Sequence, residues 1–170
     1  MNVAETARLT IRRLTLADAA FIYELVNQPS WLRFIGDKGV NNLQDAQTYI
    51  QSILDVYTKY GFGLYRVEKN SSGEAIGICG LVKRESLQDF DIGFALLSQH
   101  EGNGYAFESA SALLRLAKNT FKLSRIAAIC TPDNHSSIKL IEKLEFHLEP
   151  SILLDSNQKP LKFFTITFNR

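Results

Sequence analysis

The sequence predicts a mixed domain of the α/β (α+β) class, in which a mostly antiparallel sheet of about seven strands is flanked by about four helices. Strand-like and helix-like segments follow one another in the order β-α-α-β-β-β-α-β-α-β-β. Residues 70–73 (Asn-Ser-Ser-Gly) stand between two strand-like runs, which is typical of a β-hairpin. An apolar stripe of helical period follows a polar turn that carries two glycines. The length of 170 residues fits a single domain, so we expect residues 1–170 to fold as one unit.

The first two predicted elements are a strand and a helix. Alternating apolar residues predict a short strand at residues 9–14. Thr15 is a good first residue for the helix that follows, because Asp18 stands three residues later, as in a capping box. This helix is expected to reach about Asn27, since Pro29 stops its simple continuation.

A loop and a longer helix are predicted next. Residues 30–42 carry two glycines and are expected to form a loop in which Trp31 and Phe34 stand exposed. Residues 43–60 are predicted to form a helix that Asn42 caps, because the asparagine side chain accepts hydrogen bonds from the first helical amides.

The rest of the chain is predicted to supply six more strands and two more helices. The wholly apolar run at residues 126–130 predicts a central strand, because both of its faces need cover. The last two strands form a closing hairpin around residues 155–160, and its outer edge is open to a second copy, so a monomer and a homodimer both fit. The predicted strands are residues 9–14, 62–68, 75–83, 90–97, 126–130, 147–154 and 161–168, and the later helices follow residue 104 and cover residues 136–144.

The composition argues against several classes of partner. The formal net charge of +1 gives no basic surface for nucleic acid or an anionic membrane. No apolar stretch approaches the ~20 residues of a membrane span, and the first ten residues lack the apolar core of a signal peptide, so we expect a cytoplasmic protein. Cys79 and Cys130 lie in apolar runs and are predicted to be buried, reduced thiols. No His, Cys and Asp cluster has metal-ligand spacing, so no metal is expected.

The most informative segment is the glycine turn between a strand and a helix. An apolar run at residues 92–97 leads into a polar turn that contains Gly102 and Gly104, and a helix follows at once. The first amides of a helix have no intrahelical acceptor, and the helix dipole adds positive potential at the same place. Glycine lets an anion approach this backbone closely, because it has no Cβ. The turn is therefore predicted to bind phosphate.

Two motifs in this order resemble the GNAT superfamily of acetyl-CoA-dependent N-acetyltransferases. Residues 101–106 (Glu-Gly-Asn-Gly-Tyr-Ala) are similar to its signature Gln/Arg-x-x-Gly-x-Gly/Ala. Residues 133–146 resemble its Asn-x-x-Ser-x-x-x-x-Glu-Lys-Leu-Gly-Phe run. Residues 14–19 and the long helical insert resemble the ribosomal-protein alanine N-acetyltransferase (RimJ/RimL-like) branch. The likeness covers nearly the whole chain and implies the GNAT fold, in which the strands at residues 90–97 and 126–130 splay apart.

The sequence departs from the family pattern at three positions. Glu101 stands where glutamine or arginine is usual, and Glu145 replaces the common glycine before Phe146. Many members carry a tyrosine, the usual general acid, where this chain has Ile141.

The resemblance implies that acetyl-CoA is the co-substrate and that no metal takes part. The amides of the glycine turn would hold the pyrophosphate, and the main chain of residues 94–97 would pair with the pantetheine amides. Asn134 would contact the pantetheine arm, and its alternative role is to cap the helix that follows. The implied coenzyme-binding residues are Phe94, Ala95, Leu96, Leu97, Gly102, Asn103, Gly104, Tyr105, Ala106, Asn134 and Ser137.

For catalysis, the resemblance implies direct attack of a neutral amine on the thioester. The backbone N–H of Leu96 would polarise the thioester oxygen. Asp91 stands where the family often has an acidic residue, and it is a candidate base that removes the amine proton; removal through water is the alternative. The leaving thiolate would take its proton from Ser137 or from water.

The acceptor site is predicted in the segment 28–44 and the strand at residues 62–68. The acceptor is a primary amine, either a protein N-terminus such as that of a ribosomal protein, or a small molecule such as a polyamine or an antibiotic amine. The alternative is that the aromatic residues complete the core. The candidate acceptor residues are Trp31, Arg33, Phe34 and Tyr65.

Two other functions are compatible with parts of the sequence. A non-catalytic acyl-CoA-binding regulatory protein with the same fold is compatible with the substitutions at Glu101 and Ile141. A dinucleotide fingerprint fits less well, because Phe107 stands where its third glycine or alanine belongs.

Overall fold

The fold is one open sheet of eight strands with five α-helices, counted over the described residues. The computed structural model describes residues 1–154 and 159–169. Most of the turn predicted at residues 155–160 thus lies outside the described residues. The strands are β1 (Asn2–Glu5), β2 (Leu9–Arg13), β3 (Leu64–Lys69), β4 (Ala75–Val82), β5 (Asp91–Leu96), β6 (Arg125–Cys130), β7 (His147–Ile152) and β8 (Leu161–Thr167). The α-helices are α1 (Ala19–Val26), α2 (Pro29–Phe34), α3 (Leu43–Tyr60), α4 (Tyr105–Asn119) and α5 (His135–Lys143).

The strand order is β1-β2-β3-β4-β5-β6-β8-β7, and all neighbours are antiparallel except β5 and β6. These two parallel strands share a single register pair, Asp91 with Ala127, next to a hydrogen bond from the amide of Ala127 to the carbonyl of Phe90 at 2.9 Å. Beyond that point they diverge toward their carboxyl ends. The predicted splay is therefore confirmed.

The prediction of seven strands and four helices misses one element of each kind. β1 is four residues long, partly exposed and at the sheet edge, so it shows no apolar alternation. α2 replaces the predicted loop, because Pro29 stands in the first turn of a new helix, where a missing N–H does no harm. Trp31 was predicted to be exposed, but it is 4% exposed and belongs to the core.

The predicted capping box is present, but it caps a 3₁₀ turn. The carboxylate of Asp18 accepts from the amide of Thr15 at 2.8 Å, and residues 16–18 form a 3₁₀ turn that leads into α1. Asp18 is also bound by Arg12 and Arg66, which reach it from β2 and β3. The box therefore ties the start of α1 to the sheet.

Helices cover both faces of the sheet, and the alternation of side chains identifies the face that each one covers. Arg66 and Ile78 are register partners in β3 and β4, so they share one face, whereas Cys79 points to the other. The guanidinium of Arg66 lies 5.8 Å from the ring of Phe21 in α1. The thiol of Cys79 lies against Ser109 in α4. We therefore name the two sides the α1 face and the α4 face.

The two cysteines are free and buried, as predicted from the apolar runs that contain them. Burial raises the pKa of the Cys79 thiol to about 12 and that of the Cys130 thiol to about 11. Both thiols are therefore protonated near neutral pH.

Candidate active site

A cavity of about 560 Å³ lies against β5 and extends to both faces of the sheet. The register places Ala95 opposite Ile78, so Asp91, Gly93 and Ala95 line the cavity from the α1 face. At its other end the cavity reaches the glycine turn before α4. The gap between β5 and β6, which pair only at Asp91 and Ala127, connects the two parts. The cavity can therefore admit two molecules from opposite faces.

The glycine turn presents free backbone donors to this cavity. Gly102 and Gly104 both have φ near +80°, a conformation that glycine adopts without strain. The first helical bond of α4 runs from the amide of Glu108 to the carbonyl of Gly104, which leaves the amides of Tyr105 and Ala106 without an intrahelical acceptor. No side chain caps the helix. The turn therefore has the geometry of an anion site.

One predicted member of this turn lies outside the cavity wall. The side-chain amide of Asn103 donates to the carbonyls of His100 and Glu101, so it braces the turn from within. Glu101 is exposed and lines the cavity mouth, where the family pattern has glutamine or arginine.

A cation from a distant part of the chain lies beside the turn. The Nη2 atom of Arg8 is 3.5 Å from the point that a Cβ on Gly104 would occupy. Its guanidinium lies 4.5 Å from the centre of the Tyr105 ring, and its Nε donates to Glu108 at 2.7 Å. Sequence reasoning missed Arg8, since the residue lies nearly a hundred positions before the motif.

The main chain of β5 faces the gap at two of the four predicted positions. The amide of Leu97 donates to the carbonyl of Ile76 at 2.8 Å, and the direction of backbone groups alternates along an antiparallel strand. The N–H and C=O groups of Phe94 and Leu96 consequently point toward β6, whereas those of Ala95 point toward β4. Leu97 differs from the prediction, because its amide donates to Ile76 and its carbonyl accepts from the amide of His100.

Gln28 holds the carboxyl end of β5 in place. Its Nε2 donates to the carbonyl of Leu96 at 3.1 Å, and its Oε1 accepts from the amide of Ser98 at 2.7 Å. Gln28 also lines the cavity. No motif identified this residue, which lies between α1 and α2.

Asn134 caps α5 and lines the cavity at the same time. Its Oδ1 accepts from the amide of Ser137 at 3.3 Å, so the helix-cap alternative is correct. Its Nδ2 has no acceptor among the residues that the structure describes. Ser137 also lines the cavity, whereas Ile141 is 1% exposed and packs in the core.

Asp91 is a buried carboxylate in the cavity wall. The residue is 1% exposed, and its Oδ1 accepts from the Nε of Arg84 at 3.1 Å. Burial raises the pKa of Asp91 to about 6, and Arg84 offsets part of that effect. The group is therefore charged at neutral pH and still basic enough to accept a proton.

Two of the four candidate acceptor residues line the cavity, and two do not. Trp31 and Phe34 belong to its wall. Arg33 is exposed, lies over the ring of Phe34 and reaches Asp133 at 3.4 Å. Tyr65, which was predicted to contact the acceptor, does not line the cavity. It is buried and stacks on a tyrosine of α3, with ring centres 5.6 Å apart. It points to the face opposite Leu64, the neighbour that does line the cavity.

Three polar residues at the α1-face end were not predicted. Lys38, Tyr49 and Arg84 line the cavity near Asp91. Lost water contact and the like charge of Arg84 lower the pKa of the Lys38 ammonium, although the residue is exposed on its outer side. Burial raises the pKa of Tyr49 to about 12, so its hydroxyl is a neutral donor. Their roles follow from tertiary packing and carry no local sequence signal.

The described residues carry neither a metal-binding cluster nor a membrane-spanning helix. Within residues 1–154 and 159–169, no three His, Cys, Asp or Glu side chains are grouped so that they could hold a metal ion. None of the described helices is both long enough and apolar enough to span a membrane.

Comparison with known proteins identifies relatives along most of the chain. The model of the acetyltransferase (GNAT) domain matches residues 8–147. The N-acetyltransferase p20 of Bacillus licheniformis is 28% identical over 151 residues, which cover 88% of this chain and 84% of that protein. The protein YkkB of Bacillus subtilis is 29% identical over 150 residues and 86% of each chain.

Solved structures of acetyltransferases share the fold. An acetyltransferase of Agrobacterium tumefaciens has a TM-score of 0.83 at 25% identity, over 99% of this chain and 95% of its own. The Salmonella typhimurium acetyltransferase that modifies the N-terminal serine of ribosomal protein L7/L12 has a TM-score of 0.82 at 16% identity, over 99% and 100%. The microcin C7 self-immunity acetyltransferase MccE, solved with acetyl-CoA and AMP, has a TM-score of 0.81 at 16% identity. The match covers 96% of this chain and 94% of that one. By its sequence match and its fold, the chain belongs to the GNAT family of acetyltransferases.

Proposed function

We propose that this GNAT acetyltransferase uses acetyl-CoA to acetylate a primary amine by direct attack. One observation carries the proposal: a single cavity joins the free amides before α4 to an aromatic and charged chamber on the α1 face. Acetyl-CoA supplies the acetyl group as a thioester. The two-faced cavity supports a mechanism in which donor and acceptor enter from opposite sides and meet at β5.

The glycine turn is the proposed binding site for the pyrophosphate of acetyl-CoA. The amides of Gly102, Gly104, Tyr105 and Ala106 would bind the pyrophosphate, and a Cβ on either glycine would strain the turn. Arg8 adds a positive charge beside Gly104. The positive charge of Arg8 supports anion binding, whereas the negative charge of Glu101 opposes it.

The carboxyl end of β5 is the proposed place for the pantetheine arm and the thioester. Phe94 and Leu96 present backbone groups to the gap, as an edge strand does to a bound peptide. The N–H of Leu96 would donate to the thioester oxygen as negative charge develops there. Gln28 positions this amide, because it fixes the Leu96 carbonyl and the amide of Ser98. Asn134 and Ser137 face the same space from α5.

Asp91 is the proposed final acceptor of the amine proton, which would reach it through water in the cavity, because Asp91 and Leu96 lie at opposite ends of β5. A pKa of about 6 leaves it charged at the pH at which an amine reacts. Arg84 orients the carboxylate through its Nε. Trp31 and Phe34 would hold the body of the acceptor, which is either a protein N-terminus or a small molecule. The fold-level likeness to the L7/L12 enzyme and to MccE is compatible with either.

A cytoplasmic location is part of the proposal. The support is that Cys79 and Cys130 are both free, and free thiols are maintained in a reducing compartment.

The experiment is a thiol-release assay with acetyl-CoA and a panel of amines. We expect a CoA thiol to appear in step with an N-acetylated product. Gly104→Asp places a carboxylate in the anion site and should lower kcat/KM for acetyl-CoA by at least about tenfold. Gly73→Asp is the matched control, because Gly73 also has positive φ (+72°) but lies in a remote hairpin turn. Binding of acetyl-CoA without turnover of any amine would favour the regulatory alternative.

A further inference from the structure

The α1-face end of the cavity carries an excess of positive charge. Its charged side chains are Lys38, Arg84 and Asp91, whereas Glu101 lies at the glycine-turn end. The Nε of Arg84 donates to Asp91, which leaves its two terminal nitrogens as further donors. Lys38 has no carboxylate partner among residues 1–154 and 159–169. Two cations therefore share this end with one carboxylate.

These cations lie far from the glycine turn, which is the proposed binding site for the donor phosphates. Asp91 and Leu96 are at opposite ends of β5, roughly 17 Å apart at about 3.4 Å per residue. The glycine turn lies beyond Leu96, and Arg84 lies beside Asp91. The positive charge at the Asp91 end is therefore too far from the glycine turn to contact the pyrophosphate.

We propose that the acceptor amine carries an anionic group, a carboxylate or a phosphate, which Lys38 and Arg84 bind. The proposal rests on the proposed function, since it concerns the second substrate of the same reaction. The terminal nitrogens of Arg84 match the geometry of a carboxylate or phosphate. The hydroxyl of Tyr49 stands beside them as a neutral donor. Polyamines, which carry only positive charge, are excluded by the same cations.

The electrostatics of this end of the cavity fit an anion. Burial and, after it, the like charge of Arg84 lower the pKa of the Lys38 ammonium. A bound anion removes this repulsion and favours the charged form of Lys38. The acceptor would then extend from this end, where Asp91 lines the wall, along β5 toward its carboxyl end, where the thioester is proposed to lie. The anion thus anchors the acceptor and directs its amine toward the thioester.

The test compares amines that carry an anionic group with neutral counterparts. One arm sets free α-amino acids against their carboxamides, which represent small molecules. A second arm sets C-terminally amidated peptides with glutamate at the second position against the same peptides with glutamine. A third sets phosphoethanolamine against ethanolamine, and spermidine serves as the cationic acceptor. Initial rates of thiol release give kcat/KM for each compound.

Variants at Lys38 test the assignment without disturbing the buried pair of Arg84 and Asp91. We expect Lys38→Gln to lower kcat/KM for the preferred anionic amine about tenfold, mainly through KM, and so to remove the difference between that amine and its neutral counterpart. Lys38→Glu should reverse the preference toward neutral or cationic amines. Lys118→Gln is the matched control, because Lys118 is exposed in the last turn of α4, away from the cavity.

The outcomes separate this proposal from the proposed function. A preference for anionic amines of about tenfold or more, lost in Lys38→Gln and kept in Lys118→Gln, supports it, and the arm that shows it identifies the source of the anion. Equal or faster acetylation of neutral amines overturns it and leaves the acetyltransferase function intact. If no amine is acetylated, calorimetric titration of each pair into CoA-saturated protein still decides: tighter binding of the anionic member supports the proposal, and equal binding overturns it.

Discussion

Asp91 is both buried and charged near neutral pH, two properties that are rarely found together at one residue. It is buried, which raises its pKa, and it is paired with Arg84, which keeps it charged near neutral pH. Its position explains both, because the start of β5 is the one point where the strand still pairs with β6. A carboxylate fixed at the closed end of the gap therefore lies in the α1-face wall of the cavity.

The proposed role of Asp91 predicts a pH dependence of turnover. Only the deprotonated carboxylate can accept a proton, so kcat at saturating substrates should fall as the pH falls through about 6. In Asp91→Asn this limb should be absent, and kcat should be about a hundredfold lower at pH 7.5. Asp89→Asn is the control, since Asp89 is paired with Arg125 outside the cavity wall. An unchanged limb in Asp91→Asn would show that another group accepts the proton.

At the residue scale, the sequence predicted those site residues whose type is dictated by their own backbone conformation. Gly102 and Gly104 were identified because a turn with positive φ favours glycine, and the structure has φ near +80° at both. Tyr65 was placed wrongly, because the face that a strand residue occupies depends on its register. Lys38 and Arg84 were missed, since only the packed fold brings the loop after α2 and the loop after β4 next to β5.

At the scale of elements, the end of α5 shows how a departure from the family pattern is accommodated. Glu145 has φ of +69°, in the left-handed region where the family has glycine. The amide of Glu145 donates to the carbonyl of Glu142, and that of Phe146 donates to the carbonyl of Ile141. Phe146 and Ile141 are both buried, which completes a Schellman motif. The motif forms despite the side chain, so the departure affects stability and leaves the cavity unchanged.

This geometry predicts that Glu145→Gly stabilises the protein. Removing the side chain relieves a conformation that costs an ordinary residue about 1 kcal/mol, so the free energy of unfolding should rise by about that amount. Urea denaturation measures it. The matched control is Glu142→Gly inside α5, which should lower the free energy of unfolding by about 1 kcal/mol. A loss of stability in Glu145→Gly would mean that the glutamate side chain makes a compensating contact.

The elements themselves were largely predictable, and the exceptions have physical causes. The long helices α3 and α4 carry clear apolar stripes, and Asn42 accepts from the amide of Asp45 as a capping residue should. β1 is too short and too exposed to show a period. α2 is six residues long, and Pro29 indicates a helix start as readily as a helix end.

At the scale of the whole molecule, the open sheet positions the active site. The gap between β5 and β6 lets one cavity reach the α4 face, where the free amides lie, and the α1 face, where the charged chamber lies. The chain's net charge of +1 conceals this arrangement, because the excess charge is local to one end of the cavity. The edge of the sheet farthest from β1 is formed by β7, where Leu148 is 63% exposed. Two copies of the chain would associate through this edge if the protein is a homodimer.

The most direct test of the central claim is calorimetric titration of the protein with acetyl-CoA, free CoA and NAD. The cavity and the glycine turn predict one site per chain for acetyl-CoA and for CoA, with dissociation constants on the order of micromolar, and no heat of binding with NAD. Absence of binding to both CoA forms, or equal binding of NAD, would contradict the assignment of the glycine turn as the coenzyme site.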